Sequence, residues 1–328
     1  MTMIDDLDNQ VATLKELARQ AELKRLAAER GNSGSWDASS AEGRNITQRK
    51  VPYTMAVTSG KGGVGKTLVS VNLAVNFARR GLKVLVIDAD LGLANIDVVL
   101  GLSPTHTIQD VLEGHLTLDQ VAIKGPYGIT ILPAASGVAD LSELSDVQRM
   151  ALTDHIDNWN ADFDVVLVDT GAGISPNVRY FILAVEKIMV VATPDPASVT
   201  DAYALMKVMY MNHRIARFDL LVNQVSSEKE ALDVFRTLHR VADKFLNITL
   251  DYQGFIPADA QLKQAVRQQL VVSEAFPEAP ASIAFDILTS NLVESWHKSR
   301  EDQGRMTFFW RRLLKEEEGS APTSEETE

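Results

Sequence analysis

Three short segments carry residues that could handle a nucleotide. Gly60-Lys61-Gly62-Gly63-Val64-Gly65-Lys66-Thr67 satisfies G-x-x-x-x-G-K-[ST], follows a β-rich run and opens a helical one. Its glycines let the backbone curl so that successive N–H groups point at phosphate oxygens. The helix that follows adds partial positive charge at its start. In such a loop Lys66 reaches the β- and γ-phosphates and the Thr67 hydroxyl ligates Mg²⁺. The apolar run Val165-Val166-Leu167-Val168 ends in Asp169, an acid placed to hold Mg²⁺ directly or through water. Gly171 and Gly173 behind it free the backbone to move when a γ-phosphate arrives. A third run closes on Asp88-Ala89-Asp90. These acids fall at the carboxyl edge of a parallel sheet, where such sheets bind ligands. The chemistry is Mg²⁺-dependent hydrolysis of a nucleoside triphosphate. A chance glycine-rich turn is the competing reading, and the strand and helix flanking the loop argue against it.

Such residues need a frame, and the pattern from residue 51 onward supplies one. β-rich runs at Tyr53–Ser59, Lys83–Asp88, Gly128–Leu132, Asp164–Asp169, Lys187–Ala192, Phe218–Asn223 and Tyr252–Ile256 alternate with longer helical stretches. Val-Leu-Val-Ile at 84–87 is apolar without alternation, which suits a strand buried on both faces. The expectation is an α/β fold over 51–300, a doubly wound, mostly parallel sheet built of βαβ units. A length of 328 residues fits one large domain with added pieces as well as two domains.

The added pieces are terminal. Ile4, Leu7, Val11, Leu14, Ala18 and Ala21 make one helical stripe within residues 1–30, a candidate partner-binding element. Gly, Ser and Asn then dominate a linker running to about Lys50, residues 31–50. Residues 305–316 read as an amphipathic helix, with Met306, Phe309, Trp310, Leu313 and Leu314 on one face and Arg311, Arg312 and Lys315 on or beside the other. Aromatics opposite cations suit a helix lying in an anionic membrane interface. Two copies held in a dimer would gain by avidity. The alternative is a terminal helix packing its apolar face on the body. Residues 317–328 form an acidic tail, expected to be disordered.

Charge and composition exclude several classes. The net charge is −12, carried as −10 by residues 51–304 and −6 by residues 316–328, while residues 305–315 hold +4. An acidic body argues against binding nucleic acid, which needs cations to neutralise phosphates. There is no cysteine, so thiolate metal sites, disulfides and cysteine nucleophiles are excluded. Met1 to Asp8 hold three acids and no base, which argues against a secretory signal, and no run of 18 apolar residues exists. The expected location is the cytoplasm.

The loop's second lysine carries a resemblance. Lys61-Gly62-Gly63-Val64-Gly65-Lys66-Thr67 resembles the deviant Walker A motif of the MinD/ParA ATPases, over residues 53–295 of this chain. The resemblance implies a homodimer with ATP sandwiched between subunits, with Lys61 reaching the partner's phosphates. It implies that Asp90 positions or activates the attacking water, with Lys61 and Lys66 as the other catalytic residues, and that Asp88 lies near the Mg²⁺ shell. Leu221-Val222-Asn223-Gln224 lacks the N-K-x-D of guanine sites, and Asn223 matches the family's adenine contact. Pro257-Ala258-Asp259 resembles the loop that covers the base, so ATP is favoured over GTP.

Within that family, Asn9-Gln10-Val11-Ala12-Thr13-Leu14-Lys15 is similar to the D-Q-A-x-x-L-R motif of the FlhG (FleN) branch, which controls flagellar number and placement. Gln10 and Leu14 are identical, and Asn9, Val11 and Lys15 are similar replacements. Asp169-Thr170-Gly171-Ala172-Gly173-Ile174-Ser175 also looks more like that branch than like MinD. The branch implies that Gln10, Leu14 and Lys15 dock on and stimulate FlhF, a signal-recognition-type GTPase. It implies an ATP-bound form on the inner face of the cytoplasmic membrane. Flagellar C-ring proteins or a flagellar transcription activator stay open as further partners. The rival readings are a MinD-type division-site ATPase, which would start near residue 50, and a ParA-like DNA-associated partition or transcription regulator.

Overall fold

Strand and helix alternate from Tyr53 onward: β1 (Tyr53–Ser59), α1 (Lys66–Arg79), β2 (Val84–Ala89), α2 (Ile96–Leu100), α3 (Ile108–Leu112), α4 (Leu118–Val121), β3 (Ile123–Lys124), a 3-10 turn (Pro126–Gly128) and β4 (Thr130–Leu132). The second half comprises α5 (Asp146–Asn158), β5 (Val165–Ala172), α6 (Pro176–Leu183), β6 (Lys187–Ala192), α7 (Pro196–His213), β7 (Arg217–Val225), α8 (Glu228–Phe245), β8 (Thr249–Pro257), α9 (Ala260–Arg267), α10 (Val272–Ala275) and α11 (Pro280–Asp302). The computed structural model describes residues 51–91, 95–134, 144–159 and 161–302. The expected helix of residues 1–30 with Gln10, Leu14 and Lys15, the linker, the helix of 305–316 and the acidic tail lie outside the described residues.

The eight strands form one sheet in the order β3-β4-β2-β5-β1-β6-β7-β8. All neighbours are parallel except β3 and β4. The doubly wound frame expected from the alternation is therefore present. β3 is a two-residue antiparallel edge that the sequence does not announce, because two residues carry no period.

Successive residues of each central strand enter opposite cores. Val166 and Val168 of β5 join one buried cluster with Leu85, Ile87 and Val190. Val165 and Leu167 join the other, with Met55, Val57, Val86 and Val191. Side chains alternate across a strand, so only an unbroken apolar run fills both layers. Every residue of β2 is accordingly buried.

α11 closes the second core. Its Trp296 is buried and stacks on Tyr53 of β1 and Phe77 of α1, with ring centroids 4.5 and 5.0 Å apart. Stacked aromatics add to the burial itself. Trp296→Ala removes the shared ring of this stack. It should cost about 3–5 kcal/mol, read as a lower urea midpoint with an unchanged slope.

Candidate nucleotide site

The loop between β1 and α1 is held from behind by two contacts that only glycine permits. A Cβ at Gly60 would lie 2.1 Å from the carbonyl oxygen of Asp201 in α7. A Cβ at Gly65 would lie 2.5 Å from Asn223 Nδ2, and Gly65 has φ 94°, a left-handed conformation that caps α1. Gly62 and Gly63 border open space instead. The loop thus has an anchored root and an open crest, with α1 starting at Lys66.

Asn223 supplies the anchor. It is buried at the end of β7, donating from Nδ2 to the Val64 carbonyl at 2.7 Å and accepting from the Gln224 N–H at 2.9 Å. The expected adenine contact therefore also braces the phosphate loop. Gln224 behind it is held at φ 60°, a conformation uncommon outside glycine.

Parallel register brings the acids together. β2 pairs with β5 so that Asp88 faces Asp169 across the ladder, and both carboxylates are buried. Asp169 accepts from Ser70 Oγ at 3.0 Å and from the Thr67 hydroxyl. Burial pushes it up to about 6, against the pull of Thr67, Lys66 and Ser70. Asp88 accepts from the N–H groups of Asp90, Asn95 and Ile96 at 3.2, 3.1 and 3.2 Å. Three donors favour its charged form, yet burial and the neighbouring Asp169 outweigh them and raise it to about 8. Lys66 is buried among these groups. Its ammonium is lowered by desolvation, an effect that Asp169 and Asp90 oppose.

Asp90 sits over the end of β5. A Cβ at Gly171 would be 3.3 Å from its Oδ1, so the small residue leaves room for the acid. Gly173, at φ 87°, donates its N–H to the Ser59 carbonyl at 2.8 Å. That bond ties the residue just past β5 to the strand that carries the phosphate loop.

Lys61 and Asp259 take partners that the spacing does not reveal. Lys61 Nζ pairs with Asp195 Oδ2, both side chains about half exposed. Asp195 caps α7, accepting from the Ala197 N–H at 3.2 Å. The Asp195-Pro196 start of α7 is the sequence signal that could have marked this acid. Asp259, two residues beyond Pro257, spends both oxygens on backbone donors, Gln261 at 2.7 Å and Ala281 at 3.0 Å. It joins the start of α9 to the start of α11.

The donor set suits Mg²⁺. Among the described residues no group of three or more His, Cys, Asp or Glu could hold a metal by itself. Mg²⁺ is commonly bound by one or two carboxylates with substrate phosphates and waters. Thr67, Asp169 and Asp88 would offer hard oxygen donors and surplus negative charge, and a cation there would neutralise the buried acids.

A parallel sheet with an anchored phosphate loop at its carboxyl edge and acids on the adjacent strand and the one beyond it defines a P-loop nucleoside triphosphatase. An AAA-domain family model matches residues 53–224. The antiactivator FleN of Pseudomonas aeruginosa is 44% identical over 79% of this chain and 92% of its own length. The flagellum site-determining protein YlxH of Helicobacter pylori is 34% identical over 80% of this chain and 89% of its own. Among solved structures, MinD from Pyrococcus horikoshii complexed with Mg-ADP aligns with a TM-score of 0.60 and 25% identity. It covers 74% of this chain and 96% of that one. The chain belongs to the MinD/ParA family of P-loop ATPases.

The raised acids make a stability prediction. Asp88 and Asp169 release their protons near the ordinary aspartate value of 3.8 when unfolded, but only at about 8 and about 6 when folded. Between those values the folded state binds more protons, so stability falls as pH rises. Asp157, raised to about 7, acts in the same direction. In chelator and without nucleotide, the urea midpoint should drop from about pH 5 to about pH 8. Asp88→Asn should make that slope shallower.

Proposed function

We propose that this ATPase is a nucleotide-driven switch that regulates flagellar number and placement. In this reading it dimerises around ATP, associates with an anionic membrane surface while ATP is bound, and leaves after hydrolysis. Its similarity to FleN over nearly all of that protein carries the flagellar reading, and exceeds its likeness to the solved MinD chain. Lys61 supports the dimer. It is a cation at the mouth of the phosphate loop, half exposed, and its ammonium pairs with the side chain of Asp195 rather than with the loop itself.

The residues divide by role. The loop from Gly60 to Thr67 grips the triphosphate, with Lys66 opposite its terminal phosphates. Thr67, Asp169 and Asp88 hold Mg²⁺, which draws charge from the phosphates when bound. Asp90, above Gly171, orients the attacking water. Asn223 and the segment from Pro257 to Asp259 flank adenine. Gly171 and Gly173 let the end of β5 follow the γ-phosphate. Residues 1–30 present Gln10, Leu14 and Lys15 to an FlhF-type GTPase and stimulate it. Residues 305–316 lay Met306, Phe309, Trp310, Leu313 and Leu314 into lipid, with Arg311 and Arg312 at the headgroups.

Two outcomes test this. Asp90→Ala should lose ATP turnover by at least about a hundredfold, the lower end for removing a positioned proton-transfer group, while ATP still yields a dimer by light scattering. A monomer there would sink the sandwich. A peptide of residues 1–30 should accelerate GTP hydrolysis by FlhF, and Gln10→Ala should erase the effect. No acceleration by the unmodified peptide would reject the activator role.

A further inference from the structure

A cleft opens at the amino edge of the sheet, away from the phosphate loop. Val84, which starts β2, and Thr130, which starts β4, both line a cavity of about 500 Å³. That volume lies in the range of small-molecule sites. Four residues of β2 separate Val84 from Asp88, about 13 Å along a strand, so the cleft is distinct from the nucleotide site. The short antiparallel edge builds part of its wall. β3, the 3-10 turn and β4 form a hairpin that brings Lys124 and Tyr127 beside the starts of β2 and β4. Tyr127 is held at φ 54°, a conformation uncommon outside glycine, with its side chain half exposed. Such strain gathers at sites that clamp ligands. Trp159 and Phe163 complete the aromatic lining, meeting edge to face with centroids 5.2 Å apart. Gly81 and Gly128 border the same cavity, and a Cβ at either would meet no atom within 4 Å, so the space there is unfilled.

The charges in the wall select the ligand. Asp162 already pairs with Lys83 at 2.7 Å, and Asp119 accepts from the Trp159 indole N–H at 2.7 Å. Lys124 differs. Its Nζ donates to the neutral Thr130 hydroxyl at 2.7 Å and forms no ion pair among the described residues. The Arg79 guanidinium adds positive charge nearby, 5.9 Å from the Tyr127 ring centroid. An anion in the cleft therefore finds an ammonium without a counter-ion, and a flat apolar body finds three aromatic side chains. Asp119 and Asp162 stand against a polyphosphate, because like charges brought together in a site are costly. We propose that this cleft is a second ligand site, one that takes an aromatic carboxylate. Its ring packs among Tyr127, Trp159 and Phe163, and its carboxylate pairs with Lys124.

The probe is 2-naphthoate, with the uncharged 2-naphthalenemethanol beside it. Calorimetry on the full chain should show saturable binding of the acid. The alcohol should bind about fivefold more weakly, the upper end for a solvent-facing charge pair. Lys124→Met should weaken the acid by that factor and leave the alcohol unchanged. Tyr127→Asn should weaken both, since Asn tolerates the left-handed backbone and removes only the ring. Both positions are exposed, so the urea midpoints of the two variants should stay near wild type. Saturating Mg-ADP should not displace the acid. Absence of saturable binding, equal affinity for acid and alcohol, or displacement by Mg-ADP overturns the inference. So does an affinity for the acid that neither substitution lowers.

Discussion

Two like-charged groups at the ends of adjacent strands set the terms for the rest of this structure. Register places Asp88 of β2 against Asp169 of β5, both away from water. Buried carboxylates are costly when ionised, and a second one nearby raises the cost. Lys66 offsets part of it and is itself destabilised by burial. Without a ligand, protonation is the remaining relief, which is why both acids are raised. A divalent cation with a polyphosphate resolves the conflict differently. A bound cation would neutralise the acids, and the loop and Lys66 would neutralise the phosphates. The nucleotide then completes a charge arrangement that the fold leaves unfinished.

The surrounding contacts keep that arrangement in place while allowing one part of it to move. Asn223 and the backbone of Asp201 fix the root of the loop through Gly65 and Gly60. Ser70 and Thr67 fix Asp169 from α1. The segment after Asp169 passes Gly171 beneath Asp90 and reaches Gly173, whose N–H bonds to the Ser59 carbonyl. Asp259 couples the neighbouring loop to α11, whose far end stacks on β1 and α1 through Trp296.

Much of the frame was legible because burial on both faces leaves an unmistakable apolar run. Tyr53–Ser59 and Lys187–Ala192 occupy the strands expected of them, while β5 runs three residues past Asp169, to Ala172, and Asp88 and Asp169 fall toward the edge where a parallel sheet puts its ligand. What stayed hidden depends on contacts between distant residues. No spacing reveals that Asn223 bonds to Val64, 159 positions away, or that Asp195 reaches Lys61 across 134. Asp259 resembled part of a base-covering loop, and its two caps become visible only once α9 and α11 meet. Ser70 had a weak signal, lying one helical turn beyond Lys66 on the face toward Asp169.

Thermal unfolding of the full chain near neutral pH, with ATP and Mg²⁺ supplied separately and jointly, reads out whether cation and triphosphate act together to relieve the buried charge. Ligands that bind only the folded state raise the melting temperature by mass action. Mg-ATP should raise it well beyond the sum of Mg²⁺ alone and ATP in chelator, and Asp169→Asn should abolish the excess. Equal stabilisation by ATP with and without Mg²⁺ would contradict the account.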